Sequence, residues 1–226
     1  MKRRVPALAA LSLAALSVAA CEGPLVPPDT SADIYDFRLT TTPPQVLRWP
    51  SGSRVRVYAA DAAARGTMLA DAVALGAATW NRHALYGEYE IVPVASAVSA
   101  DVVVRWSDEP SAVDMSGCPD VVSIAVTTFC LDDDDATRLK VFPLLSAGGS
   151  GSSVRFVITI LGTQSGDEST VRRLVIHELG HALGIARHSL NSQDLMAQGI
   201  PTRATLSQRD IATVQILYHT QPQVTP

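Results

Sequence analysis

The stretch 177–188 reads HELGHALGIARH and holds three of the five histidines of the chain. On a helix, residues i and i+4 lie on one face with Cβ atoms about 5–6 Å apart, so His177 and His181 can reach one ion. Gly184 offers a left-handed turn that ends such a helix and brings His188 back towards the same point. Three neutral imidazoles leave a tetrahedral zinc with one open position for water, as in catalytic sites. The spacing therefore predicts a catalytic zinc site with these three ligands.

Glu178 follows the first of these histidines and is expected beside that water. A carboxylate in this place can take the water's proton and later deliver it to a leaving group. A structural zinc site usually closes its fourth position with a protein ligand and needs no base. The residues therefore favour a hydrolase, with Glu178 as the catalytic group. Two alternatives stay open: a non-catalytic surface binding lipoprotein that retains the zinc site, and a hydrolase of a non-peptide amide.

The length and charge of the chain limit its organisation and its partners. With 226 residues, the chain is long enough for one domain with a hydrophobic core, and two domains would each be small. The net charge is −4 and lysine is nearly absent, so no basic surface for nucleic acid is expected. We expect a monomer whose partner is a protein or peptide substrate.

The N-terminus has the composition of an export signal. A basic start at residues 2–4 precedes an apolar run to Ala20 that is too short for a membrane-spanning helix. The run ends in Val18-Ala19-Ala20-Cys21, which resembles the bacterial lipobox, in which the cysteine becomes the lipidated first residue. The alternative is an ordinary cleavage site followed by a cysteine. We predict a signal peptide over 1–20 and an exported lipoprotein, anchored through Cys21 to the cell envelope, at the outer membrane or cell surface.

Setting Cys21 aside leaves one pair of cysteines, Cys118 and Cys130. In an oxidising compartment this pair predicts a disulfide, which would stabilise the fold by about 3 kcal/mol on the chain-entropy model. The segment Gly117-Cys118-Pro119-Asp120 also has a passing likeness to the cysteine-switch peptide of some zinc proteases. In those proteins the switch precedes the catalytic domain, whereas here a predicted strand and helix come first. The disulfide is therefore the preferred interpretation.

Hydrophobic periodicity predicts one strand, one helix, five further strands and two final helices along this chain. The predicted strands are Ser53–Ala59, Tyr89–Val94, Asp101–Trp106, Val121–Leu131, Leu139–Leu145 and Val154–Leu161. The predicted helices are Arg65–Leu85, Thr170–Leu183 with a cap at Ser169 or Thr170, and Ser207–Tyr218 with a cap at Ser207.

Composition suggests where the folded domain begins and ends. Residues 21–50 are rich in proline and threonine and predict an extended, mobile tether. The catalytic domain is expected over 51–220, with a disordered tail over 221–226. Asp132 to Asp135 raise the question of structural calcium, but consecutive carboxylates lack the spacing of an EF-type loop. We expect a solvated hairpin tip there, with structural Ca²⁺ possible but not indicated.

The zinc motif and the residues after it resemble the metzincin zinc proteases, and within them the matrixins. Their motif is HExxHxxGxxH followed by a Met-turn. The matching residues are His177, Glu178, His181, Gly184, His188-Ser189, then Asp194-Leu195-Met196-Ala197 with Met196 under the metal, and a final helix from Leu206 to Tyr218. The chain departs from the motif because three residues, Ile185-Ala186-Arg187, separate the glycine from the last histidine.

The resemblance implies an α+β fold with a twisted mixed sheet of about five strands, two long helices, and a small C-terminal subdomain that holds the Met-turn and the final helix. It also implies a zinc-dependent endopeptidase in which Glu178 activates a zinc-bound water. An extended substrate would run antiparallel to an edge strand, for which Val121–Leu131 is the candidate, and Gln198 to Ala204 would wall a substrate pocket. A bulge can absorb the extra residue, so His188 remains the expected third ligand, with Asp194 as the alternative.

Overall fold

The computed structural model describes residues 33–60, 67–108, 125–132, 134–144, 152–162 and 166–226. Residues 1–20, Cys21 and Cys118 lie outside these ranges, so the signal peptide, the lipid anchor and the disulfide with Cys130 stay predictions. Among the described residues, the structure contains no helix with the length and apolar character needed to cross a membrane.

Strands and helices follow one another in the order expected from the sequence. The strands are β1 (Ser53–Ala59), β2 (Tyr89–Val94), β3 (Val102–Ser107), β4 (Ala125–Thr128), β5 (Phe142–Leu144), β6 (Ser152–Val154) and β7 (Phe156–Leu161). The α-helices are α1 (Met68–Asn81), α2 (Glu168–Ala182) and α3 (Gln208–His219), and a short 3₁₀ helix covers Ala97–Ser99.

Five strands form one mixed sheet in the order β2-β1-β3-β7-β4. Strands β2, β1, β3 and β7 are parallel to one another, and the edge strand β4 runs antiparallel to β7. The inner strand β7, next to the edge strand β4, is buried along its whole length, because one face packs into the main core and the other meets a small cluster around Ala100 and Val103. With two long helices and the final helix α3, this confirms the predicted α+β architecture.

Helices α1 and α2 pack together closely through glycines. A Cβ on Gly76 of α1 would lie 2.5 Å from Leu179 of α2, so a larger residue would push the helices apart. The buried Trp80 of α1 donates a hydrogen bond of 2.8 Å from its indole nitrogen to the carbonyl of Ile176. These contacts fix α2, which carries the zinc motif, against the rest of the core.

The segment 33–49, called here the N-terminal segment, belongs to the folded core. Its apolar side chains Tyr35, Phe37, Leu39, Val46, Leu47 and Trp49 are all buried. The Trp49 indole donates a hydrogen bond of 2.8 Å to the carbonyl of Ala182 at the end of α2. The prediction of a mobile tether up to Pro50 is therefore wrong for residues 33–50, because apolar residues between the prolines supply a buried face.

The C-terminal tail is also ordered against this segment. Val224 is fully buried and forms a parallel β-bridge with Leu47, and Thr225 forms one with Arg138. The prediction of a disordered tail over 221–226 is wrong, because the tail adds backbone hydrogen bonds to an otherwise unpaired stretch of the N-terminal segment. The folded domain therefore extends beyond the predicted limits of 51 and 220 at both ends.

The predicted hairpin with an acidic tip is confirmed in part. Leu131 and Leu139 form an antiparallel bridge, and the described aspartates between them lie in a turn. The strand predicted over Leu139–Leu145 is shorter, however, and as β5 it pairs with β6, which begins two residues before the strand predicted over Val154–Leu161. The strand predicted over Val154–Leu161 is split at Arg155, whose amide donates to the carbonyl of Asp101 instead of continuing the ladder.

Candidate metal centre and active site

Helix α2 places the first two histidines on one buried face. It begins at an N-cap on Asp167, whose side chain accepts a hydrogen bond from the amide of Thr170, so the predicted cap at Ser169 or Thr170 is wrong by two or three residues. An acidic cap suits the positive end of the helix dipole. One turn apart on this helix, His177 and His181 have their Nε2 atoms 3.1 Å apart.

Gly184 turns the chain back towards the helix. Its φ of +114° is a conformation that residues with a side chain rarely adopt, and a Cβ would collide with the backbone oxygen of Leu47. After this turn His188 returns to the helix, and its Nε2 lies 3.2 Å from that of His181. The three residues between Gly184 and His188 are thus accommodated without moving the third imidazole away. Ligand atoms of all three histidines lie within 4.8 Å of one another.

Backbone carbonyls set the tautomers of two of these imidazoles. Nδ1 of His177 lies 2.7 Å from the carbonyl oxygen of Leu195, and Nδ1 of His181 lies 2.5 Å from that of Ile185. A carbonyl oxygen only accepts, so each Nδ1 must carry the proton and each Nε2 keeps its lone pair. This is the usual orientation of metal-binding histidines, whose second nitrogen donates to a backbone or carboxylate oxygen.

The electrostatics also favour neutral imidazoles. Burial lowers the pKa of both His177 and His181 to about 4, and partial burial lowers the pKa of His188. Neutral imidazole is the form that coordinates metal. Three converging Nε2 atoms, two of them on imidazoles with fixed tautomers, therefore fit a zinc ion that keeps an open fourth position. Among the described residues, no other group of histidine, cysteine or carboxylate side chains converges in this way.

Glu178 lies next to this cluster and is almost completely buried, at 4% exposure. Burial raises the pKa of its carboxyl, because removal from water disfavours the charged form. The hydroxyl of Thr127, on β4, donates a hydrogen bond of 2.7 Å to Oε2 of Glu178. Thr127 was not predicted as a site residue. The sequence around it predicts only a strand, Val121–Leu131, and no motif identifies the threonine itself.

The predicted Met-turn passes beneath helix α2. Met196 is fully buried, and a Cβ on Gly180 would lie 2.5 Å from its sulfur, so the methionine packs directly under the zinc motif. The turn is closed by a hydrogen bond from the Ser189 amide to the Met196 carbonyl and by a parallel bridge between Ser189 and Ala197.

A buried carboxylate, Asp210, holds the Met-turn in place. It accepts hydrogen bonds from the amides of Leu195 and Met196 and from the Tyr35 hydroxyl of the N-terminal segment. It also completes a capping box with Ser207, the predicted cap of α3. The sequence analysis did not single out Tyr35 or Asp210, although an aspartate three residues after a capping serine is a recognisable capping signal.

Asp194, the alternative third ligand, lies elsewhere. It is buried, accepts a hydrogen bond from the Ser189 hydroxyl, and pairs with the guanidinium of Arg209 at 3.1 Å. Its oxygens are not part of the histidine cluster. Asp194 therefore stabilises the turn and does not compete with His188.

The loop Ile185-Ala186-Arg187, which is one residue longer than in the family motif, lies against the N-terminal segment. The amide of Ala186 donates to the carbonyl of Phe37, and Nε of Arg187 donates to the carbonyl of Arg38. Arg187 also lies 3.5 Å from the carboxylate of Asp36. The loop that delivers His188 is therefore supported by residues that were predicted to be a mobile tether.

The remaining predictions about the site concern the cysteines, the segment after the Met-turn and the strand at the sheet edge. Cys21 and Cys118 lie outside the described residues, and Cys130 follows β4. The residues Gln198, Gly199 and Ile200 after the Met-turn are exposed and Pro201 is buried, and the pocket wall over Gln198 to Ala204 stays a prediction. Within the described residues, β4 pairs with β7 alone and so occupies the sheet edge that the resemblance assigned to Val121–Leu131.

No curated protein matches the sequence. Two solved structures of myroilysin match this chain at low similarity. The first has 12% identity and a TM-score of 0.41, and the match covers 83% of this chain and 100% of that chain. The second has 13% identity and a TM-score of 0.40, and the match covers 77% of this chain and 83% of that chain. The Matrixin family of peptidases matches residues 92–219, more than half of the chain, including the zinc motif, the Met-turn and α3. The chain therefore belongs to the matrixin family of metalloproteases.

Proposed function

We propose that the protein is a zinc-dependent endopeptidase, with His177, His181 and His188 as zinc ligands and Glu178 as the general base. The observation that carries this proposal is the convergence of three imidazole Nε2 atoms beside a buried carboxylate. Membership of a metalloprotease family supports the same reaction class. The presence of Glu178 favours catalysis over a purely structural zinc site, which has no use for a base.

When bound, zinc would polarise the scissile carbonyl and lower the pKa of a water molecule to about 7. Glu178 would accept the proton of that water at its carboxylate and then deliver it to the leaving amine. The raised pKa of this buried carboxyl helps it to hold the proton between the two steps. The carbonyls of Leu195 and Ile185 keep two of the ligating imidazoles in the correct tautomer throughout.

The substrate we propose is an extended segment of a protein or peptide. Among the described residues only β7 pairs with β4, so the outer edge of β4 is the proposed place for the substrate as one more strand, because backbone groups at a sheet edge can pair with an extended chain. The exposed residues 198–200 lie directly after the Met-turn and would contact the substrate beyond the cleaved bond. Bond cleavage would then occur between β4 and this segment.

We also propose that the protein is exported, acts as a monomer, and is anchored to a membrane of the cell envelope by a lipid on Cys21, with a Cys118–Cys130 disulfide. The basic and apolar signal followed by Ala19-Ala20-Cys21 supports the anchor. Mass spectrometry of the native N-terminus tests it. An acylated Cys21 is expected, and an unmodified N-terminal residue would contradict the lipoprotein proposal.

Cleavage of a peptide library, together with measurement of bound zinc, tests the enzymatic proposal. We expect one zinc per chain, cleavage that a chelator abolishes, and loss of at least about a hundredfold in kcat for Glu178→Gln. Glu90→Gln is a matched control, because Glu90 is an exposed glutamate paired with Arg54 on the far edge of the sheet.

Two results would overturn the endopeptidase proposal. If the wild type binds zinc stoichiometrically, cuts no peptide bond and behaves as Glu178→Gln does, a non-catalytic binding protein is the correct interpretation. If the wild type instead cleaves cell-wall or acyl amides and leaves peptides intact, the protein is a hydrolase of non-peptide amides.

A further inference from the structure

The side chain of Thr127 contacts the proposed general base. Its Oγ1 lies 2.7 Å from Oε2 of Glu178 and 3.0 Å from the backbone oxygen of the same residue. A threonine hydroxyl has one proton to donate. The carboxylate oxygen is both nearer and the stronger acceptor, so the hydroxyl donates to Oε2.

This hydrogen bond engages only one of the two carboxylate oxygens of Glu178. Among the described residues, Thr127 alone donates to the Glu178 side chain, and no group donates to Oε1. A buried carboxylate without a partner is costly and would rotate to find one. The Thr127 hydroxyl therefore holds Oε2 and leaves Oε1 without a hydrogen-bond donor among the described residues.

The position of Thr127 in the sheet adds to this contact. Thr127 lies opposite Ile158 in the antiparallel ladder between β4 and β7, so its backbone is fixed by the central sheet. Successive side chains of a strand point to opposite faces. Thr128, the next residue, therefore projects from the face opposite to Glu178.

We propose that Thr127 is a positioning residue, whose hydroxyl orients Glu178 so that Oε1 is the oxygen that takes and returns the proton. The inference rests on the proposed function and adds a residue outside the zinc motif to it. It also links the edge strand, along which a substrate would lie, to the carboxylate that acts on that substrate. A substitution here should affect turnover more than substrate binding, because Thr127 acts on the base.

Kinetics of three variants test this role. Thr127→Val keeps the shape of the side chain but removes the donor, and we expect kcat to fall about tenfold with KM within about twofold. Thr127→Ser keeps the hydroxyl and should restore most of kcat. Thr79→Val is the matched control, since it makes the same change at a partly exposed threonine of α1 whose hydroxyl donates to the carbonyl of Leu75 in its own helix, and it should match the wild type. Zinc content and melting temperature are measured for each variant to confirm that it is folded.

A readout independent of turnover accompanies these measurements. In zinc-free protein with ¹³C-labelled glutamate, the carboxyl resonance of Glu178, assigned by its loss in Glu178→Gln, should move in Thr127→Val and stay in place in Thr79→Val. The proposal is overturned if Thr127→Val turns over at the wild-type rate, if Thr127→Ser is as slow as Thr127→Val, or if the resonance does not move. A wild type that cleaves no amide refutes the proposed function itself, and the positioning role with it.

Discussion

The carboxylate of Asp210 accepts a hydrogen bond of 2.8 Å from the amide of Leu195. The carbonyl of Leu195 in turn accepts the Nδ1 proton of His177. A fully buried residue of α3 is thus connected to a proposed zinc ligand through the backbone of one residue, Leu195. The same carboxylate binds the Tyr35 hydroxyl, so the N-terminal segment, the Met-turn and α3 share one polar contact point.

Asp210→Asn should weaken zinc binding although the residue does not touch the metal. The amide group of asparagine offers one acceptor oxygen in place of two, so it cannot serve Leu195, Met196, Ser207 and Tyr35 together. Loss of a group that orients a metal ligand typically costs about 10–100-fold in metal affinity. Competition with a chromogenic chelator measures the change.

The matched control for this prediction is Asp134→Asn, since Asp134 is an exposed aspartate in the hairpin tip. It should retain the wild-type affinity. Equal zinc affinity of Asp210→Asn and the wild type would show that the Met-turn keeps its position without this carboxylate.

The stability of the zinc-free protein should fall in mild acid. The pKa of His177 and of His181 drops from 6.5 to about 4 on folding because both are buried. Between these values the unfolded chain binds more protons than the folded one, so the free energy of unfolding decreases as the pH falls. The contribution is complete above about pH 6.5 and is lost as the pH falls to about 4.

Urea unfolding of the zinc-free protein between about pH 7 and pH 5 measures this loss. Replacing both His177 and His181 by asparagine should make the curve flatter over that interval. Replacing the exposed His219 by asparagine is the matched control. It should leave the dependence of the free energy of unfolding on pH as in the wild type. If the double variant keeps the full slope, other groups cause the acid sensitivity.

Gly184→Ala should destabilise the protein by about 2–4 kcal/mol, because it combines an unfavourable φ with a collision at the Leu47 carbonyl. Gly87→Ala separates the two effects. Gly87 also has a positive φ, of +70°, but a Cβ there would meet nothing within 4 Å, so its cost should be near 1 kcal/mol. Chemical denaturation compares the two variants, and equal costs would remove the role assigned to the close approach of the N-terminal segment.

Deletion of Arg187 should weaken zinc binding by more than about tenfold, although it restores the two-residue spacing typical of the family. The loop is held by the bond from Ala186 to Phe37, so a shorter loop would pull His188 away from the cluster. Arg187→Ala keeps the loop length and removes only exposed polar contacts, which contribute little. It should bind zinc within about threefold of the wild type, whereas similar weakening in both variants would point to the side chain.

The zinc motif could be predicted from the sequence because its geometry is local. The i, i+4 spacing of His177 and His181 and the turn at Gly184 depend on helix geometry and on one residue's backbone freedom. The capped helix α3 could be predicted for the same reason. Family resemblance supplied the Met-turn, whose position under Gly180 no periodicity reveals.

The parts that sequence analysis missed depend on contacts between distant residues. Trp49 and Val224 lie in segments whose prolines and polar residues interrupt any sustained hydrophobic period, yet each fills a place in a core made by other elements. The proposed role of Thr127 depends on the pairing of β4 with β7, which places the Thr127 hydroxyl beside Glu178 of α2. Polar side chains that act through a distant partner leave no local pattern to detect.

The parallel pairing of Leu47 with Val224 also has a mechanical consequence. If the protein is tethered at its N-terminal end, a pull on that tether first reaches the N-terminal segment. Buried aromatic side chains and parallel backbone bonds to the C-terminal tail would then bear the load in shear. Force would have to strip this segment from the end of α2 before it reached the sheet, so the loop that carries His188 would be disturbed early and the central strands late.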